Sequence, residues 1–217
     1  ADGTITFTVT KTGATELVSS VNYGVDQGTA TTPADYGAGT SALSGVLNFA
    51  AGVTTQTITL NVVDDNIFEL SENFSVNLSN PSGATIADGL GIGTILDNDT
   101  PTITLVTVDP AAVEPNDGAE NFAGAGTPAT YQVVLSNPSD APTTVTLSIS
   151  AGTTGNPIEL PQDVSSFQYQ DSTNQWVNIP GNGQVTLAAG QTVLDVRVNP
   201  AADAIYENIE TFNVNLT

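Results

Sequence analysis

The chain contains no cysteine and no histidine, and its only basic side chains are Lys11 and Arg197. Without cysteine it has neither disulfides nor thiolate metal sites, and without histidine the usual zinc and copper ligands are missing too. The same two absences remove the commonest general bases and nucleophiles, and no nucleophile-elbow or phosphate-loop signature replaces them, so no enzyme is expected. Twenty-three acidic residues against two basic ones leave a formal charge of -21. Nucleic acid and anionic lipid are poor partners for such a surface. Its natural complement is a cation, and with only oxygen donors on offer the choice falls on calcium. No run approaches the roughly 18 to 20 apolar residues of a membrane span, and the first residues lack a basic region followed by an apolar one. Membrane insertion is not expected, and the chain reads as a segment of something larger.

What is present is period-two alternation in short runs. Ile5, Phe7 and Val9; Val21, Tyr23 and Val25; Leu47 and Phe49; Ile58, Leu60 and Val62; Phe74, Val76 and Leu78; and Ile92 with Ile95 mark half-buried strands. Thr, Ser and Asn fill the alternate positions, while clusters such as Asn80-Pro81-Ser82-Gly83 break the runs. No segment keeps a 3.6-residue period. Short strands at roughly 8 to 12-residue spacing predict an all-β fold of immunoglobulin-like antiparallel sandwiches.

The second half repeats the plan. Residues 49–79 align without a gap on residues 187–217 at a shift of 138, matching Ala-Ala-Gly, Ile-x-Glu, Glu-x-Phe and Val-Asn-Leu. Two modules follow, 1–99 and 100–217, with a boundary at Asp97-Asn98-Asp99-Thr100-Pro101 too short to be a free tether. The second holds an extra segment, Phe167 to Ile179, which reads as a hairpin whose Tyr169 and Trp176 pair across the strands; a ligand platform on Trp176 is the alternative. The first module has a last strand, Gly91 to Leu96, with no counterpart before Thr217. This is expected to reflect trimming, or a strand supplied by a neighbouring chain through β-augmentation.

The chemistry concentrates in two loops. Asp64-Asp65-Asn66-Ile67-Phe68-Glu69 lies between confident strands, and Asp97-Asn98-Asp99 follows the last strand of the first module. Antiparallel return places the end of that last strand beside the start of the strand before it, so the two acidic loops should meet at one pole. A hard divalent ion would draw the carboxylates together, and their oxygens with a turn carbonyl suffice for six to eight ligands. Asp64 with Glu69 as a glycosidase pair is the catalytic alternative, but their neighbours offer more acid rather than a sugar cleft.

Three segments in order, Gly28-Thr29-Ala30 with Ala34-Asp35-Tyr36, the Val-x-Asp-Asp-x-Ile-Phe-Glu-x-x-Glu-x-Phe of residues 62–74, and the Gly-x-Gly-Thr-Ile-x-Asp-Asn-Asp of residues 91–99, resemble the Calx-β domain. The resemblance implies calcium ligands at Asp35, Asp64, Asp65, Glu69, Asp97 and Asp99 and a carbonyl from Ile67, with Asn98 and Glu72 as further candidate ligands. A glutamate that the family places before the first strand would lie upstream of Ala1. The second module resembles the immunoglobulin-like repeats of large bacterial adhesins: Asp163, Asp203 and Glu207 fall at matching positions, and Glu114 stands where the early glutamate belongs. Ala202 replaces the first aspartate of the pair and Pro200 interrupts the preceding strand, so a weak or empty site is expected there. The implied function is that of calcium-binding extender modules of a secreted or cell-surface adhesin, with neighbouring repeats and a surface or matrix ligand as partners. The alternatives are a filament subunit completed by a donated strand, a ligand-binding adhesin module and a calcium sensor.

Overall fold

A computed structural model of the chain describes residues 3–13, 15–39, 41–112, 126–152, 156–158, 160, 163–201 and 210–217, and every regular element among them is a β-strand. Cα proximity divides the chain into two compact units, Ala1–Asp99 and Thr100–Thr217. The fold is all-β, built from packed, mainly antiparallel sheets.

The first unit comprises β1 (Gly3–Thr10), β2 (Ser19–Gln27), β3 (Ser44–Phe49), β4 (Thr55–Val62), β5 (Glu72–Ser82) and β6 (Leu90–Ile95). β1 pairs with β4, and the other four form a sheet in the order β3-β2-β5-β6. Alternation decides which side chains meet between the sheets. Ile58 and Leu60 of β4 face Val21, Leu47, Phe49, Phe74 and Val76 of the larger sheet, with Tyr36 in the same core. The intervening threonines stay wet, and Thr6 and Thr59 bond through their hydroxyls at 3.1 Å on the outer face.

β6 departs from the expected pattern. Ile92 is 67% exposed, and the inward positions are Gly91 and Gly93. Two large rings leave no room for anything else: a Cβ on Gly93 would stand 2.5 Å from the Phe74 ring, and one on Gly91 would stand 2.9 Å from Phe7. Phe74 stacks on Tyr36 at 4.3 Å and meets Phe7 edge-on at 5.9 Å, so the glycines are the space these aromatics occupy.

The second unit comprises β7 (Ile103–Asp109), β8 (Ala129–Leu135), β9 (Thr143–Ala151), β10 (Asn156–Pro157), β11 (Val164–Gln170), β12 (Trp176–Asn178), β13 (Gln184–Leu187), β14 (Val193–Pro200) and β15 (Glu210–Leu216). Its sheets run β12-β11-β14-β8-β7 and β10-β15-β9-β13. β10 pairs parallel to β15, the one departure from antiparallel pairing among the described residues. Alternating residues of β8 and β14 pack against those of β9 and β13.

The 138-residue shift holds in three dimensions. β4 and β14 coincide end for end under it, and β5 and β15 begin at equivalent glutamates, Glu72 and Glu210. The shared Ala-Ala-Gly is a turn: Val53 N–H bonds to Ala50 C=O and Gln191 N–H to Ala188 C=O, with Gly52 at φ 80° and Gly190 at φ 77°. A positive φ at the third turn position is the type II requirement that glycine meets without strain.

Two expectations for the second unit need correction. The hairpin forms, but Tyr169 lies opposite Val177 and Trp176 opposite Gln170, because the strand offset puts the two rings one residue out of register. The Trp176 ring packs instead under Arg197, whose guanidinium carbon sits 4.2 Å from its centroid and whose Nε donates to Gln168 Oε1. Pro200 does not interrupt its strand; it is the last residue of β14, opposite Val164, where a missing N–H costs little.

Gly93→Ala should lower the unfolding free energy by about 1–3 kcal/mol in a denaturant titration, as overpacking does. The loss should shrink in a Phe74→Leu background, and purely additive losses would mean that the ring is not what the glycine accommodates.

Candidate metal centre

Strand pairing brings four chain segments to one end of the first unit. Gly3 pairs with Val62, so β1 begins where β4 ends, and Glu72 pairs with Ile95, so β5 begins where β6 ends. The loop from Val63 and the run Asp97–Asp99 therefore leave the sandwich side by side. The segment after β2 joins them: Tyr36 bridges to Val62, and Val63 N–H bonds to Asp35 C=O at 3.0 Å. That segment is also clamped to the start of β5, through Ala30 N–H to Asn73 C=O at 2.9 Å and Asn73 N–H to Thr29 Oγ1 at 2.9 Å. A Cβ on Gly28 would stand 2.4 Å from the Asn73 carbonyl oxygen, so this approach requires glycine.

These segments enclose a cavity of about 180 Å³ whose lining includes Asp35, Asp64, Asp65, Glu69, Glu72, Asp97 and Asp99, with Asn98, Val62, Leu70 and Leu96 among the remainder. One carboxylate oxygen from each of Asp35, Glu69 and Glu72 lies within 4.8 Å of the others. Asp35 is only 8% exposed, and its Oδ2 accepts from Thr31 N–H at 2.6 Å and Thr31 Oγ1 at 3.0 Å, which fixes its plane. One oxygen of Glu72, Oε2, is shut off from solvent. In the outer loops Asp65 Oδ1 accepts from Ile67 N–H at 2.7 Å, Asp97 Oδ2 accepts from Asp99 N–H at 3.2 Å, and Asn98 Nδ2 reaches Asp64 Oδ1 at 3.4 Å.

Charge crowding has an electrostatic consequence. Carboxylate oxygens within 4.8 Å of one another repel by at least roughly 0.9 kcal/mol per pair of unit charges in water and about 3.5 at an effective dielectric near 20. Desolvation first, and then the charges of Asp97, Asp64 and Asp65, push the Asp99 carboxyl above its ordinary value. The donors are hard oxygens, and oxygens this far apart suit an ion bound at about 2.3 to 2.6 Å from each. The residues thus fit a calcium-sized cation.

Six of the expected first-module carboxylates and Asn98 line this cavity; Ile67 does not, and its N–H is engaged with Asp65. Glu72, a further candidate ligand in the sequence, stands in the inner trio. In the second unit Asp163 occupies the place of Asp35: it is 9% exposed, and its carbonyl accepts from Ala201 N–H at 3.0 Å as the Asp35 carbonyl accepts from Val63 N–H, the donors being 138 residues apart and the acceptors 128. Glu210 repeats Glu72 in having its Oε2 shut off from solvent. Glu114, Asp203 and Glu207 lie outside the described residues.

No curated protein sequence matches the chain. Among solved structures it is similar to the apo-form Calx CBD1 domain, at 32% identity over 45% of this chain and 84% of that one, with a TM-score of 0.41. It is also similar to CBD12 from CALX1.2 and to the calcium binding domain CBD12 of CALX1.1, at 18% and 19% identity, covering 99% of this chain and 73% and 74% of those, each with a TM-score of 0.41. The model of the Calx-beta domain matches residues 1–108 and 170–217. The chain, through both of its sandwiches, belongs to the Calx-beta domain family.

Proposed function

We propose that the first module binds calcium through the carboxylates of Asp35, Asp64, Asp65, Glu69, Glu72, Asp97 and Asp99, and that the two modules are calcium-dependent structural units of a larger secreted or cell-surface protein of adhesin type. The observation that carries this reading is the convergence of those side chains on one cavity of about 180 Å³ in a chain with only two basic residues. A cation there turns mutual repulsion into shared coordination. Family membership and the calcium binding domain of CALX1.1 among the similar structures are consistent with that ion. The adhesin role draws its support from the tandem repeat and the strongly acidic composition. Asp97–Asp99 run directly into Thr100, where the second unit begins, so an ion that fixes this loop also stiffens the connection.

Extracellular modules hold calcium with dissociation constants on the order of 10⁻⁴ to 10⁻³ M, suited to millimolar surroundings. At ten to a hundred times that constant, one site stabilises its module by roughly 1.4 to 2.7 kcal/mol.

Asp65→Asn combined with Glu69→Gln should lower the first module's melting temperature in saturating calcium by roughly 5 to 15 °C, and leave it unchanged or raise it slightly in chelator, where the charges removed are uncompensated. Equal losses in both conditions would mean that these residues act through packing. Asp99→Asn should raise the melting temperature in chelator. A raised folded-state value means that the ionised form costs stability above the carboxylate range, so removing the charge raises the melting temperature at pH 7, and the gain fades as the pH falls and wild-type Asp99 is itself neutralised. A gain that persists in acid would assign the effect to something other than this charge.

A further inference from the structure

The second unit carries a surface that the first does not. On the side of β14 away from β8 its sheet continues into β11 and β12. β4, the equivalent of β14, has on the side away from β1 only the bridge from Tyr36 to Val62 among the described residues. The 138-residue shift also turns Thr59 of β4 into Arg197 of β14, one of the two basic residues in the chain.

Arg197 projects from the outer face of the sheet, because Val196 and Val198 on either side of it are 0% and 1% exposed. Register lines it up with Gln168 of β11 and Asn178 of β12. The Gln168 amide ties this row together: its Nε2 donates to Asn178 Oδ1 at 3.0 Å, and its Oε1 accepts from Arg197 Nε at 2.8 Å and from Asn199 Nδ2 at 3.0 Å. Asn199 Nδ2 also reaches Ser166 Oγ at 2.8 Å. With one edge bonded to Gln168 and one face on the Trp176 ring, the guanidinium is held in a single plane. Of the five N–H donors of an arginine, only the one on Nε has a protein acceptor among the described residues. In a chain with 23 acidic residues, Arg197 meets none of those described.

The two Nη atoms on the open edge match the two oxygens of a carboxylate, and a guanidinium stacked on an aromatic ring presents that fork with little left to order. We propose that the outer face around Arg197 binds a carboxylate-bearing saccharide, a hexuronic acid residue, with the carboxylate on the Arg197 fork and the ring hydroxyls on the neighbouring side chains. A sugar hydroxyl both donates and accepts. Asn178 keeps its Nδ2 donors and Asn199 its Oδ1 acceptor, so the flanks of the fork offer both. A densely charged polyanion does not fit, because Arg197 and Lys11 are the only cations in a chain of formal charge -21. An acidic peptide fits less well than a sugar, because this row is polar apart from the Trp176 ring and gives apolar side chains nowhere to go. The site draws on neither calcium nor the acidic cavity of the first unit.

Trp176 is the only tryptophan of the chain, so its fluorescence reads this face alone. The full chain is titrated with methyl glucuronoside at physiological salt, and separately with methyl glucoside, with acetate and with an acidic tripeptide. The expected result is a saturable change with the glucuronoside, half-complete at a concentration about tenfold or more below that for any of the other three, and backbone amide shifts confined to β11, β12 and β14. Arg197→Lys keeps a cation but not the fork. It should weaken glucuronoside binding about tenfold or more in a chain whose amide spectrum away from this face is unchanged. Any of four results would overturn the proposal: no saturable change at concentrations that fill a millimolar site, methyl glucoside binding as well as the glucuronoside, acetate or the tripeptide doing so, or an Arg197→Lys chain that binds like the parent.

Discussion

Carboxylates that converge from separate segments, in a chain with almost no basic side chains to offset them, are the constraint on which the rest depends. Asp35, Glu69 and Glu72 approach within 4.8 Å, and four aspartates stand around the same cavity. Such a cluster costs free energy wherever its charges are uncompensated, and the raised Asp99 carboxyl records part of that cost. The fold tolerates it because each acid is held by backbone already committed to the sandwich: Asp35 by its carbonyl bond from Val63 and its turn to Thr31, Glu72 by its place at the head of β5.

The site and the core are not separate structures. Asp35 is followed by Tyr36, which is fully buried and stacks on Phe74, and Phe74 is two residues from Glu72 on the same strand. Neighbouring residues in a strand face opposite ways, so Glu72 and Phe74 share a face, one at the polar end and one in the apolar middle. Two inner acids are thereby anchored by a single aromatic stack, and Gly93 gives that stack its space. The second unit keeps the equivalent pieces in Asp163, Glu210 and Phe212.

Much of this was legible in the sequence because the signals were periodic or repeated. Alternation at Ile58 and Leu60 marks β4, and the 138-residue shift carries that strand onto β14 without a change of length. Adjacent aspartates before Glu69 flag the acidic loop on their own. The misses have local causes. Ile92 has a strand-like pattern but faces solvent, because the inward positions belong to glycines whose reason is Phe74 and Phe7, far away in sequence. Glu72 stands within the acidic motif of residues 62–74, but only its pairing with Ile95 shows that it heads β5 at the pole where the acidic loops meet. Trp176 looked like a partner for Tyr169, but a one-residue offset in the hairpin gives it to Arg197.

The most direct test is calorimetric titration of the metal-free full chain with calcium. A saturable heat with a dissociation constant on the order of 10⁻⁴ to 10⁻³ M, lost from the first module in a Glu69→Gln, Glu72→Gln double variant that still folds, is what the account predicts. No saturable heat in the parent chain, or an isotherm that the double variant leaves unchanged, would contradict it.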